Sequence, residues 1–483
     1  MVPHRADTRW AKLYARAAWG LCIGLVALSL LASLAFVAAT VGVRLPYWGE
    51  AEVLFEASRL REGWPIFTDP LRGASEHGLP PSRFYVTYPP LWTWGVSRLP
   101  DTVAMLGARV VSSAAWFGTL AWLAFTSGPS VRRAAIVAAS FVAGIWVLTN
   151  FASTGRPDSV ACALGAVTLA RAVRRERLDA LGVALLVLVP WLKPTVLGLP
   201  GGAIVAASFF TNEASSRRRA VLSSAVAFVA LSALSAHTLS DGELFRHVVR
   251  SNAQPFTMEA WMAQVPARLP FFAPLFAWAG WVGWRERARS GMAIAFGAFA
   301  GAFLWTLVAL AKTGSSSNYW MEPAIAAVVV IARADDARVR IFGTNPVPAT
   351  VALFSAAWTG VASIRGALEH AQAFRNDAAF VAAIRGSHGV PNESLIASDD
   401  AGIELRLNGR ILTTTYQWVY LVAKGAVPAE PWLSDISSPN VALYIERTGH
   451  LKQAPRLEQG LSNAFVLVES SRGFRVFKRR SSH

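Results

Sequence analysis

Apolar runs recur along this chain, and the arginines between them fall on alternate connections. No other feature narrows the fold as much. The first run, from Ala17 to Val41, is long enough for a hydrocarbon core of roughly 30 Å and longer than the apolar core of a signal peptide. It reads as a retained anchor, with a cleaved signal as the alternative. Further runs lie near 103–126, 134–151, 158–171, 179–192, 195–210, 220–238, 269–284, 290–311, 319–333 and 347–365. The chain is therefore expected to be an α-helical polytopic membrane protein with about 11 transmembrane helices. Several runs are short enough to need tilting, neighbouring protein or re-entrant geometry.

Composition agrees. Charged residues make up 16% of the chain, against about 25% in soluble domains. The net charge of +16 invites a nucleic-acid reading, but its distribution argues otherwise. With the N-terminus (Arg5, Arg9, Lys12, Arg16) placed in the cytoplasm, the loops on that side hold Arg132 and Arg133, then Arg171, Arg174, Arg175 and Arg177, then Arg217, Arg218 and Arg219. Arg285, Arg287 and Arg289 follow, and then Arg333, Arg338 and Arg340. The intervening short loops carry only Arg156, Lys193 and Lys312. This is the positive-inside pattern of a membrane protein, and no nucleic-acid partner is expected. The two cysteines, Cys22 and Cys162, lie within apolar runs and suggest neither a disulfide nor a metal site. The eight histidines show no paired spacing, so no metal or other cofactor is expected.

With this topology the chain divides into a membrane domain, residues 1–365, and an extracytoplasmic domain, residues 366–483. In the latter, "SLIAS", "NVALYIE" and "AFVLVESSRGFRVFKR" read as short strands, the last as a hairpin around Arg472-Gly473, and 367–386 reads as a helix. A small mixed α/β domain is expected.

The unusual polar residues gather on the side opposite the arginine-rich loops. The first loop on that side, residues 42–102, exceeds the length of an ordinary connection and contains "WGEAEVLFEASRLREGWP". Val53, Leu54, Ala57 and Leu60 recur at helical spacing, and Gly63 with Pro65 form a stop signal, so an amphipathic surface helix is expected. Glu56 and Glu62 then fall on a solvated face, while Glu50, where the chain leaves the first span, is placed to face a cavity. "YVTYPPLW" with Tyr88 reads as loop punctuation. In "STGRPDSV", Arg156 and Asp158 flank a helix start, readable as a site or as capping plus a snorkelling arginine. Lys193 in "WLKPTV" sits at a span boundary, where an ionisable group is either functional or snorkelling. The loop 239–268 carries Arg246, His247, Arg250 and Asn252, and "KTGSSSNYWMEP" carries Lys312, Asn318, Tyr319 and Glu322. A carboxylate combined with such cations suits transfer from a phosphate-linked donor, the carboxylate taking a hydroxyl proton and the cations meeting the phosphate.

Gly49-Glu50 followed by Ala57 and Gly63, then "YPPLW", "GRPD", "LKPT" and "SSNYWMEP", resembles bacterial members of the GT-C glycosyltransferase superfamily, the protein-mannosyltransferase-like and aminoarabinose-transferase-like membrane enzymes. The resemblance covers roughly residues 40–330. It implies inverting transfer of a sugar from a polyprenyl-phosphate-linked donor to a hydroxyl-bearing lipid, glycan or protein acceptor, at the extracytoplasmic face of a bacterial inner membrane. It maps the catalytic carboxylate to Glu50. Many members have an adjacent Asp-Glu pair there, whereas this chain has Gly49-Glu50-Ala51-Glu52, which makes Glu52 the second candidate. Lys193 and Arg156 become phosphate ligands, with Arg250 and Lys312 as further candidates and Asp158 as an orienting partner. Some members use a divalent ion and others do not. A transporter of lipid-linked sugars, or a non-catalytic prenyl-lipid-binding scaffold, is the alternative class.

Overall fold

The computed structural model describes residues 5–73, 82–211, 214–335, 346–471 and 473–480; Arg338, Arg340 and Arg472, named above, lie outside them. All eleven apolar runs fold as helices. Helix α1 is Arg5–Thr40; α2 is Trp48–Arg61 and α3 is Pro90–Val96, both in the long loop. Then come α4 Asp101–Phe125, α5 Arg132–Gly144, α6 Trp146–Ala152, α7 Asp158–Arg174, α8 Ala180–Leu192 and α9 Gly198–Phe209. Helices α10 Ser215–Ser240, α11 Met258–Glu286, α12 Ser290–Ala309, α13 Met321–Ala332 and α14 Pro346–Ser387 complete the bundle. Among the described residues, five helices reach crossing length and hydropathy on their own, and a sixth span arises if α5 and α6, bent by 73°, count as one. The rest are shorter or interrupted, such as α11 with its three internal prolines.

Every residue of α13 is buried, and it lies at the bundle's centre against α4, α5, α7, α11 and α12. Around it the apolar core is built largely from alanine, valine and leucine. Helices α9 and α12 cross closely because Gly198 and Gly202 face Gly297 and Gly301, leaving no side chain between the backbones. Both cysteines are free and buried. The protein is an integral membrane protein.

The C-terminal domain carries a four-stranded sheet ordered β1-β2-β4-β3, with β1 Leu395–Ser398, β2 Val441–Glu446, β3 Phe465–Ser471 and β4 Phe474–Arg479. Strands β1 and β2 are parallel, and the other pairs are antiparallel. These are the three segments expected to be strands, and Gly473, at φ +82°, supplies the left-handed residue of the hairpin turn. Helices α15 Ala401–Asn408, α16 Thr415–Ala423, α17 Glu430–Ile436 and α18 Pro455–Ala464 complete the domain. Its expected first helix is the distal part of α14, which runs without interruption from the bundle into the domain.

One expectation fails. Helix α2 ends at Gly63 as the stop signal implies, but it is not a one-sided surface helix. Val53 and Ala57 pack into the bundle core with Tyr88 and Trp92, while Ala51 and Phe55 pack against Ala401, Leu405 and Ile411 of the C-terminal domain. Sandwiched this way, α2 buries Glu50, Glu52 and also Glu56, which the amphipathic pattern placed on a solvated face; Glu62 alone of the four is exposed.

Candidate active site

Where the bundle meets the C-terminal domain there is a cavity of about 660 Å³. Its bundle-side wall includes Tyr88, Arg156, Lys193, Lys312, Asn318 and Tyr319. Asp158, the first residue of α7, knits this wall together. Its Oδ1 lies 3.4 Å from Lys193 Nζ and accepts a 2.6 Å hydrogen bond from Asn318 Nδ2, while Oδ2 pairs with Arg156 Nε at 3.2 Å. Lys193 Nζ also stands 4.3 Å from the centre of the Tyr88 ring, and Arg156 lies over Phe151 at 5.2 Å. Both cations are buried, each less than a tenth exposed, so neither is a snorkelling side chain. One carboxylate thus holds two buried cations at a cavity, leaving a net positive charge there.

The two candidate carboxylates differ sharply. Glu50 is fully occupied. Its Oε1 accepts from Arg109 Nε at 2.7 Å and Gly155 N at 2.8 Å, and its Oε2 accepts from Arg109 Nη2 at 2.7 Å and Tyr47 N at 3.0 Å. Arg109 goes on to donate to the carbonyls of Thr40, Val41, Val43 and Leu45, binding the exit of α1 to α4. Gly155 fits because a Cβ there would lie 2.9 Å from Glu50 Oε1. Glu52, 1% exposed, has no well-formed hydrogen bond on either oxygen. Thr87 and Gln417, bonded to each other at 3.1 Å, lie alongside it. Burial pushes its carboxyl up from the usual 4.5 to about 7, opposed by Thr87, by the charges of Arg156 and Lys193, and by Gln417. Glu56, one turn on, accepts from Thr93 Oγ1 at 3.0 Å, and burial together with the charge of Glu52 holds it well above the carboxylate range.

The remaining predicted residues divide. Asn252 lines the cavity. Arg250 is exposed and borders a separate, smaller cavity of about 150 Å³ with Arg246 and Tyr85. Glu322 is buried away from the cavity lining, and its Oε1 accepts from Leu199 N at 2.6 Å, capping the first turn of α9. His247, also buried, ties the long loop down, accepting from Val86 N at 2.9 Å through Nδ1 and bonding Thr68 O at 2.8 Å through Nε2. Among the described residues no three His, Cys, Asp or Glu side chains come together as metal ligands do. A second cavity, of about 310 Å³ between α1, α5, α11 and α14, has an almost wholly apolar lining.

Sequence reasoning missed Arg109, although an arginine inside a membrane-length apolar run is costly enough to demand a partner. It also missed the wall contributed by the C-terminal domain and the start of α2, with Trp48, Tyr416, Thr448 and His450, for which no spacing or motif gave a signal.

This arrangement of helices, with a long first loop and a C-terminal domain roofing a charged cavity, is the GT-C fold. The chain is similar to the crystal structure of ArnT from Cupriavidus metallidurans in the apo state, at a TM-score of 0.52 and 14% identity, over 95% of this chain and 98% of that one. No protein-family model matches the sequence, and no curated protein matches it.

Proposed function

We propose that this protein is a glycosyltransferase that moves a sugar from a polyprenyl-phosphate-linked donor to a hydroxyl acceptor, with inversion. The N-terminus lies in the cytoplasm and the catalytic cavity at the extracytoplasmic face. The observation that carries the reading is the Asp158 constellation: Arg156 and Lys193 are held buried at a cavity, and Glu52, buried just outside its lining, feels both their charges and adjoins Thr87 of that lining. The likeness of fold to ArnT supports it. Glu52 is the base, because Glu50 has its lone pairs engaged by four donors and serves to fix α2.

In the reaction the acceptor hydroxyl gives its proton to Glu52 and its oxygen attacks the anomeric carbon. The bond from that carbon to the phosphate oxygen breaks on the opposite face, and its electron pair leaves with the polyprenyl phosphate. Arg156 and Lys193, with Lys312 at the same cavity, meet the charge that develops there. Asn318 and Asp158 keep the two cations aimed before donor arrives. Such preorganisation avoids rearranging the site during the reaction.

The test is mass spectrometry of lipid that co-purifies with the wild type and with Lys193→Ala. A polyprenyl phosphate or its glycoside, depleted in the variant, is expected. Only bulk phospholipid, the same in both, would overturn the donor assignment and favour a transporter or scaffold.

A further inference from the structure

The cavity has a second wall whose chemistry differs from the first. Trp48, Tyr416 and His450 line it, all half-buried, with rings meeting edge to face: Trp48 and Tyr416 at 5.4 Å between centroids, Tyr416 and His450 at 5.2 Å. Tyr420 backs them, 4.9 Å from Tyr416. Thr448 and His450 follow the carboxyl end of β2, and Asp399 follows that of β1. Because these strands are parallel, both ends open on one edge of the sheet, the edge where α/β domains place ligands.

The wall offers no free charge. Asp399 also lines the cavity, but its oxygens accept from the backbone nitrogens of Arg447 (2.7 Å), Thr448 (2.9 Å) and Gly449 (3.1 Å) and from Thr448 Oγ1. It shapes the turn after β2 and leaves the surface to ring faces and neutral polar groups. One of these lacks a partner. Gln254 is 4% exposed and lines the cavity; its Nε2 donates to Ser251 O at 3.2 Å, while its Oε1 accepts nothing among the described groups. A buried amide oxygen left in that state costs about 1–3 kcal/mol, which a ligand donor would relieve.

We propose that this wall is the acceptor subsite and that the acceptor presents a neutral carbohydrate ring to it; the inference rests on the transferase reading above. A pyranose ring has apolar C–H faces that pack on aromatic rings, and equatorial hydroxyls that donate to an amide oxygen. The division of charge fits two substrates of different character. The phosphate end of the donor belongs with Arg156, Lys193 and Lys312, and the uncharged sugar belongs between Tyr416, His450 and Gln254. The transferring centre lies between the two walls, on the side where Thr87 separates Glu52 from the cavity.

The experiment uses the full-length protein in lipid nanodiscs, fluorescently labelled and applied to an array of neutral glycans, with a parallel titration of polyprenyl phosphate. Tyr416→Ala and Gln254→Leu are each expected to weaken glycan retention about 2- to 12-fold, the scale of one lost ring contact or one lost hydrogen bond. Tyr416→Phe, which keeps the ring, retains it, and all three bind polyprenyl phosphate as the wild type does. Thermal unfolding checks that each variant is folded. No glycan retained by the wild type, retention unchanged in Tyr416→Ala, or retention of hydroxyl-bearing peptides instead would overturn the proposal. Failure of the donor reading would show separately, as absence of polyprenyl phosphate binding in the wild type.

Discussion

Glu50→Gln and Glu52→Gln make the same chemical change two residues apart on one helix, and the structure gives them opposite effects on stability. Glu50 is the countercharge of Arg109, which is 1% exposed. Removing one member of a buried ion pair costs about 3–5 kcal/mol because the other charge stays behind. The carbonyls that Arg109 also reaches, and the acceptor that glutamine keeps, place the expected loss near the lower end of that range, about 3 kcal/mol. Glu52 has no ion pair, and its carboxyl sits at about 7 instead of 4.5. At about 1.4 kcal/mol per pH unit, holding its charge costs on the order of 3 kcal/mol once the pH is above 7. The sign follows from linkage. The folded state prefers the protonated carboxyl, so this cost is absent below about pH 4.5 and grows as pH rises toward 7. Glu52→Gln should therefore melt higher than the wild type at about pH 8, the gain fading at about pH 5, while Glu50→Gln melts lower at both. Tryptophan fluorescence during thermal unfolding in nanodiscs reads the difference. Turnover should be abolished in Glu52→Gln despite the added stability. A Glu50→Gln protein as stable as the wild type, or a Glu52→Gln protein destabilised at about pH 8, would refute the division of roles.

Turnover of the wild type should rise as pH approaches about 7, since Glu52 accepts a proton only when ionised, and fall again above about 8, where burial makes Lys193 lose its charge; a rate independent of pH on the rising side would remove Glu52 as the base. Lys193→Ala should weaken binding of polyprenyl phosphate by about 10- to 100-fold, the scale of one charge-assisted hydrogen bond, measured by titration in nanodiscs. Gly202→Ala should lower stability by about 1–3 kcal/mol, because its Cβ would run into the Gly297 carbonyl at the crossing of α9 and α12. Gly201→Ala, with open space at that position, is the control and should melt like the wild type.

The elements of this fold were largely legible in the sequence because each carries its own local physics. Hydropathy marked the helices, including the run 134–151 that breaks at Ile145 into two. Gly473 marked the hairpin, and Asp158 begins a helix as expected of an acidic first turn, whereas Pro90, read as loop punctuation, begins one too. The cations of the site were legible for a related reason: Arg156 and Lys193 are expensive at a membrane boundary and stand out in apolar surroundings. The contrast between Glu50 and Glu52 was not. Periodicity shows which face of α2 is most apolar, and Val53 with Ala57 does meet the bundle. It carries no information about what arrives from elsewhere in the chain: helix α15 covers Ala51 and Phe55, Gln417 of α16 comes alongside Glu52, and Thr93 of α3 holds Glu56. The occupancy of Glu50 was hidden likewise, because its four donors come from α4, the loop after α6 and its own helix entrance. The aromatic wall had no local signature at all, since Trp48, Tyr416 and His450 belong to separate segments and meet only when the domains do.

Helix α14 spans 42 residues without a break, about 63 Å at 1.5 Å per residue. Its lower part is seated along α1, with Gly360 against Ser29, and Gly366 beside the Trp146 ring. The C-terminal domain is thus mounted on a mast stepped into the membrane, not hung from a cord. Inserting one residue near the middle of a flexible tether would leave the domain where it was, but in a continuous helix it would swivel everything beyond it by about 100°. Tyr416 and His450 would then point away from Lys193, and the cavity would cease to exist though every residue lining it remained.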